Sequence, residues 1–329
     1  MLDLYSFPPN EIRGRAVDRL IREGFADSIA TVLDALASEF DVPSCEALVE
    51  QIRRGPVSPA VFGIYTELVE FVYRGEMEGA CRLAGVLSDP GFGVVPVPRI
   101  VTLSDDDLGE GQTGRYRRFV DEDPELGASL PPLSKAAFLE AKSRVEAAFD
   151  LLDAAAPEAA GEVRSLAREI VLVGNPVDDE IAFNGASSFH LWGAIFLNTD
   201  SYVGRVEIAE ALAHESAHAL LFGFAGGQTL ASNDAESRYS SPIRSDPRPM
   251  DGIVHATFVL ARMHYVISRM LGSNLLTMKE RKLAAQALAR NVSRYAEGIS
   301  VIDQYAVLTP AGAAAIRGAQ TYMAQVSRD

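Results

Sequence analysis

Apolar residues recur with the period of a helix over most of this chain, and with that of a strand over only a few short stretches. Between Arg15 and Phe40 they fall at Val17, Leu20, Ile21, Ile29, Val32, Leu33 and Leu36, close to one residue face every 3.6 positions. Ser58-Pro59 predicts a helix start, with Ser as cap and Pro in the first turn, and Val61, Ile64, Tyr65, Leu68, Val69 and Val72 continue the stripe. Residues 94 to 103 predict an extended edge segment, because Pro96 and Pro98 exclude a central strand. Ser134 predicts the cap of a helix running to about Ala155, with Phe138, Ala141, Val145, Phe149 and Leu152 on one face.

From Glu169 the pattern changes. Ile170-Val171-Leu172-Val173 is a β-branched run closed by Gly174-Asn175-Pro176, and a second extended stretch is expected from Phe189 to Asn198. A long helix over 206 to 224 ends at Gly226-Gly227. A proline-marked loop covers 228 to 250, and helices are expected at about 252–271, 277–298 and 309–326. The fold class that follows is mostly α with a small β-sheet, an α+β protein of zincin-like layout. In it a sheet over about 169 to 198 backs the helix at 206 to 224. A division at residue 130 is expected, with a helical N-terminal region that is a candidate for peptide recognition and a C-terminal catalytic domain.

Charge and cysteine content narrow the function classes. Thirty Lys and Arg against 45 Asp and Glu give a formal charge of −15. No basic footprint for nucleic acid is present. The acidic runs Asp105–Asp107 and Asp121–Asp123 lack the ligand alternation of a calcium loop and read as solvated. Cys45 and Cys81 alone cannot staple a chain of 329 residues, and the expected compartment is the reducing cytoplasm. The first residues lack the basic and apolar regions of a secretion signal, and no apolar stretch is long enough to suggest a membrane helix.

The chemistry concentrates in Ala211-Leu212-Ala213-His214-Glu215-Ser216-Ala217-His218. Residues four apart on a helix share a face, so His214 and His218 can close on one cation. Glu215, turned about 100° from His214, is placed to reach a water on that cation as the catalytic carboxylate. Two histidines and a glutamate in an Ala/Leu-rich helix are costly to bury without a role. A third ligand is open between His255, which begins the next helix, and Glu236 in the loop. His264, nine residues beyond His255, is expected to face away, and His190 to pack at the core or rim of a strand.

Between the two helices lies Ile243-Arg244-Ser245-Asp246-Pro247-Arg248-Pro249. Arginine matches a carboxylate bidentately and proline stiffens the loop, which makes an anion clamp; ion pairing with Asp246 is the competing reading. Because prolines bracket Arg248, it is expected to carry more of the clamp than Arg244.

The composite of the HExxH helix, the Arg-x-Asp-Pro-Arg-Pro loop and Gly-x-x-His opening a helix resembles the HExxH-domain proteins of ribosomally made peptide natural-product pathways. The matching part spans about residues 200 to 265. That family is described as iron(II)- and 2-oxoglutarate-dependent peptide β-hydroxylases. The resemblance implies iron at His214, His218 and His255, 2-oxoglutarate held by Arg244 or Arg248 or both, and a precursor peptide as substrate. Zinc and a metallopeptidase activity are the alternative, since imidazole suits either metal. A non-catalytic peptide-binding domain with a structural metal is the third reading.

Overall fold

Ser58 acts as its place before Pro59 predicts: its hydroxyl accepts the Ala60 N–H and proline fills the first turn. A computed structural model of the protein describes residues 4–89, 93, 95, 98–120, 124–176 and 183–326. Parts of the extended segment expected at 94–103, and the acidic run Asp121–Asp123, lie outside them.

Helices α1 (Glu11–Ala37), α2 (Glu46–Arg54), α3 (Pro59–Arg74) and α4 (Met77–Leu87) come first. Strand β1 (Arg99–Thr102) leads to α5 (Asp105–Leu108), α6 (Gln112–Phe119), α7 (Pro124–Ser129), α8 (Lys135–Ala155) and α9 (Pro157–Leu166). Strands β2 (Glu169–Val173), β3 (Gly185–Ser187) and β4 (Ala194–Asn198) precede α10 (Arg205–Ala225), α11 (Met250–Gly272), α12 (Met278–Tyr305) and α13 (Pro310–Val326). The protein is mostly helical, 66% of it, with one small mixed sheet, and so belongs to the expected α+β class.

Contacts divide the chain into two compact units. One comprises Met1–Val17, Ser143–Ser165 and Val203–Asp329; the other comprises Asp18–Lys142 and Leu166–Tyr202. Each joins segments from both sides of residue 130. The physical reason in the second unit is strand pairing: β1 hydrogen-bonds in parallel to β2, far along the chain, with Arg99 opposite Glu169.

In that unit the sheet order is β1-β2-β4-β3, with β1 at the edge, as expected for this segment, and only β3 antiparallel. Every residue of β2 and β4 is buried, which explains their unbroken apolar runs. The extended stretch expected from Phe189 begins instead at Ala194. Residues Phe189–Leu191 form one 3-10 turn, started by Ser188, whose hydroxyl accepts the His190 N–H. His190 is therefore on a turn rather than a strand, and it is exposed. The single buried charge in β2, Glu169, is met by Arg99 at 2.8 Å, the Tyr116 hydroxyl at 2.6 Å and Ser58 at 3.2 Å.

The sheet expected to back the HExxH helix belongs to this second unit. Within the first unit α10 packs on α11, α12 and α13. Glu207 opens α10 by accepting the Gly204 N–H at 2.9 Å, and Gly226, left-handed at φ 58°, closes it by donating its N–H to Phe222 O. Glu210 joins α10 to α12, accepting from Arg290 at 3.0 Å and from Asn291 Nδ2 at 2.8 Å. One turn beyond Asn291, the Tyr295 hydroxyl is buried with no hydrogen-bond partner. A second buried cluster centres on Glu162, which pairs with both Arg13 and Arg262 and accepts the Asn10 N–H at 3.0 Å. Those two arginines also donate to the Ser6 and Phe7 carbonyls, fixing the N-terminal segment.

Candidate metal centre

His214 and His218 share one face of α10, as their spacing requires, and their Nε2 atoms lie 3.2 Å apart. Two nitrogens on one cation, at bonds of about 2.1 Å and angles between square and tetrahedral, stand about 3.0–3.4 Å apart. The pair therefore fits a shared ion. Helix α11 runs antiparallel alongside: His214 Nδ1 meets Met263 Sδ at 3.3 Å, and His218 Nδ1 meets His255 Nδ1 at 3.1 Å. The His218 and His255 rings lie nearly parallel, 5.4 Å between centroids and 19° between planes, and the Phe222 ring packs 5.2 Å from His255.

The structure thus gathers His214, His218 and His255, but not around one point. Among the described residues no group of three or more His, Cys, Asp or Glu side chains is arranged to hold a metal ion. The reason is visible at His218, which shows Nε2 to His214 and Nδ1 to His255. The lone pairs of one imidazole diverge, so a single ion cannot take both.

Burial decides the protonation state. It lowers the His214 pKa to about 4, with the Arg244 guanidinium adding to the effect. His218 is held well below its ordinary value by burial first, then by His214, His255 and Arg244. Burial also lowers His255, against the opposing pull of Asp251. All three are neutral at pH 7, the state in which imidazole can ligate. Glu215 is buried beside them, its Oε1 3.9 Å from His214 Nε2.

The two loop arginines separate. Arg248 ion-pairs with Asp246 at 2.8 Å, and its backbone N–H and carbonyl both pair with Tyr239 at 2.9 Å. Arg244 is exposed, its backbone N–H bonded to Ser241 Oγ at 3.1 Å, and its charge is the one felt at His214 and His218. The prolines stiffen the Arg248 backbone, as expected, while Asp246 takes up its guanidinium and leaves Arg244 as the arginine whose charge reaches the histidines.

Glu236 lies on an exposed turn, its N–H bonded to Asp234 Oδ1 at 2.8 Å. His264 turns to α13, where Nδ1 meets the Tyr322 hydroxyl at 2.9 Å. Sequence reasoning missed Asp251. Its Oδ2 is 3.7 Å from His255 Nε2, and its Oδ1 accepts the N–H groups of Leu230 at 2.6 Å and Ala231 at 3.3 Å. The signal was there, a carboxylate four residues before a helical histidine. Leu230 is itself fixed on both sides, its carbonyl accepting from Thr309 at 3.0 Å and lying flush against Gly312.

No protein-family model matches the chain, and no curated protein matches its sequence. Among the described residues no helix is long and apolar enough to cross a membrane.

Proposed function

We propose that the protein is an iron(II)- and 2-oxoglutarate-dependent oxygenase that hydroxylates the β-carbon of a side chain in a ribosomally made precursor peptide, acting in the cytoplasm. One observation carries the reading: two neutral histidines with Nε2 atoms 3.2 Å apart lie within the field of Arg244. His214 and His218 would hold the metal. Iron(II) held there would activate dioxygen as the oxidant, one oxygen atom converting a C–H bond to C–OH and the other entering 2-oxoglutarate, the two-electron co-reductant, which would leave as succinate and carbon dioxide. Arg244 supplies a guanidinium for the remote carboxylate of the co-substrate, a pairing that Arg makes bidentately and a peptidase does not need. Partial burial keeps both imidazoles unprotonated while leaving His214 in reach of solvent and of an incoming ion. Glu215 orients water or a ligand beside His214. The helices of the N-terminal region are assigned to peptide recognition.

A zinc peptidase is the second reading, favoured by Glu215, whose carboxylate lies where a general base for a metal-bound water would stand. Anaerobic reconstitution with iron(II) followed by 2-oxoglutarate distinguishes the two. The oxygenase should develop a visible metal-to-ligand charge-transfer band that requires both additions. No band, together with cleavage of a test peptide when zinc is supplied, would favour the peptidase.

A further inference from the structure

We infer that His255 is a positioning residue for His218 and not a metal ligand: Asp251, His255 and His218 form a line of polar groups that ends at the ion. The inference rests on the metal-site reading above. A neutral imidazole carries one ring proton, and the other nitrogen offers a lone pair. His218 Nε2 faces His214 Nε2 at 3.2 Å, so a cation shared by the pair takes the His218 lone pair there. The His218 proton then sits on Nδ1, and its acceptor is His255 Nδ1 at 3.1 Å. His255 consequently holds its own proton on Nε2, which faces Asp251 Oδ2 at 3.7 Å, within reach of its charge. Both His255 nitrogens are engaged, and neither keeps a lone pair for the ion.

With the ion between His214 and His218, two other arrangements of His255 defeat themselves. Were His255 to donate from Nδ1, His218 would accept there and carry its proton on Nε2, losing the lone pair that the ion needs. Were the His255 ring turned by half a rotation, a carbon would face the His218 N–H, leaving a buried donor without a partner, which costs about 1–3 kcal/mol. The line is anchored at its far end, where Asp251 Oδ1 accepts the Leu230 and Ala231 N–H groups. Metal-ligating histidines commonly donate their second N–H to such a partner, which fixes the tautomer and raises the basicity of the ligand.

Cobalt(II) binding to the full chain tests this, by chelator competition and visible absorption, on wild type, His218→Ala, His255→Ala and His255→Gln. Wild type should take up one cobalt per chain and His218→Ala should lose it. His255→Ala should keep one ion, bound about tenfold or more weakly, in the range seen when such a partner is removed. Its cobalt bands should keep their position and intensity, because the set of ligating atoms is the same. His255→Gln should recover most of the affinity, since its carboxamide oxygen can accept the same proton. Loss of the ion from His255→Ala, or bands that shift when only His255 is replaced, would overturn the proposal and make His255 a ligand. If His255→Ala does not fold, His255→Gln decides by the same two readings. Failure of the wild-type chain to bind cobalt would instead overturn the metal-site reading, and this inference with it.

Discussion

Glu162 sits at the centre of a buried polar cluster and His218 at that of a partly buried one in the same compact unit, and their neighbours differ in kind. Glu162 is surrounded by opposite charge, from Arg13 and Arg262, and by the Asn10 N–H. Those arginines reach in turn to main-chain carbonyls. His218 is surrounded by two groups like itself and by the positive field of Arg244. A cluster selected for stability collects partners that cancel its charge. The histidines can share a fold only by staying neutral, and neutral imidazoles bunched together are suited to receiving a cation. The same contrast holds in the other unit, where Glu169 is satisfied by Arg99, Tyr116 and Ser58.

The largest effect expected from this contrast is at Glu162. Glu162→Ala leaves two buried guanidiniums without their counter-charge and should lower stability by about 3–5 kcal/mol. Urea denaturation measures it, and a loss near zero would mean that the cluster is dispensable.

The histidine cluster should instead respond to acid. In the metal-free protein His214 is held at about 4, whereas an unfolded chain titrates near 6.5. Below about 6.5 the unfolded state takes up protons that the folded state refuses, so stability falls as pH falls. It should be full above about pH 6.5 and decline down to about 4. Urea midpoints taken in chelator across that window would record the slope, and His214→Ala should reduce it.

Arg244→Ala should raise the 2-oxoglutarate dissociation constant at least tenfold, roughly 1.4 kcal/mol, while Arg248→Ala should change it little. Isothermal titration of the iron(II) protein under nitrogen separates the two, and the reverse order would return the clamp to Arg248. The smallest effect is expected at Tyr295, whose hydroxyl makes no hydrogen bond. Tyr295→Phe should not lower stability and should raise it by up to about 1 kcal/mol, because the unpaired buried hydroxyl is removed. A melting curve displaced downward would reveal a bond to the hydroxyl.

The long helices α1, α3, α8 and α10 to α13 were legible from their apolar stripes, and the caps of α3 and α8 from Ser58-Pro59 and Ser134, whereas the short α6 and α9 were not singled out although each buries one face. β3 was not: three half-buried residues, Gly185–Ser187, carry no alternation and exist as a strand only through pairing with β4. Phe189–Leu191 misled because aromatic and branched residues favour strands, while Ser188 offers its hydroxyl to the backbone and starts a turn. At the site, the His214–His218 pairing was readable because it depends on one helix alone. Which nitrogen each ring presents depends on how α10 meets α11, and spacing within one helix carries no such information. Proline content showed how stiff the Arg248 backbone is, and nothing about where its guanidinium goes.

Gly312 extends this dependence to a place that no motif marks. A methyl group there would stand 2.0 Å from the Leu230 carbonyl oxygen, a main-chain atom with no side-chain rotation to escape by. Leu230 also supplies the shorter of the two amide contacts that hold Asp251. The first turn of α13 therefore acts as a template for the histidine face, and position 312 has room for one amino acid. In a saturation library selected for function, it should tolerate substitution as poorly as His214 itself, while the exposed Pro310 two residues before it varies more freely.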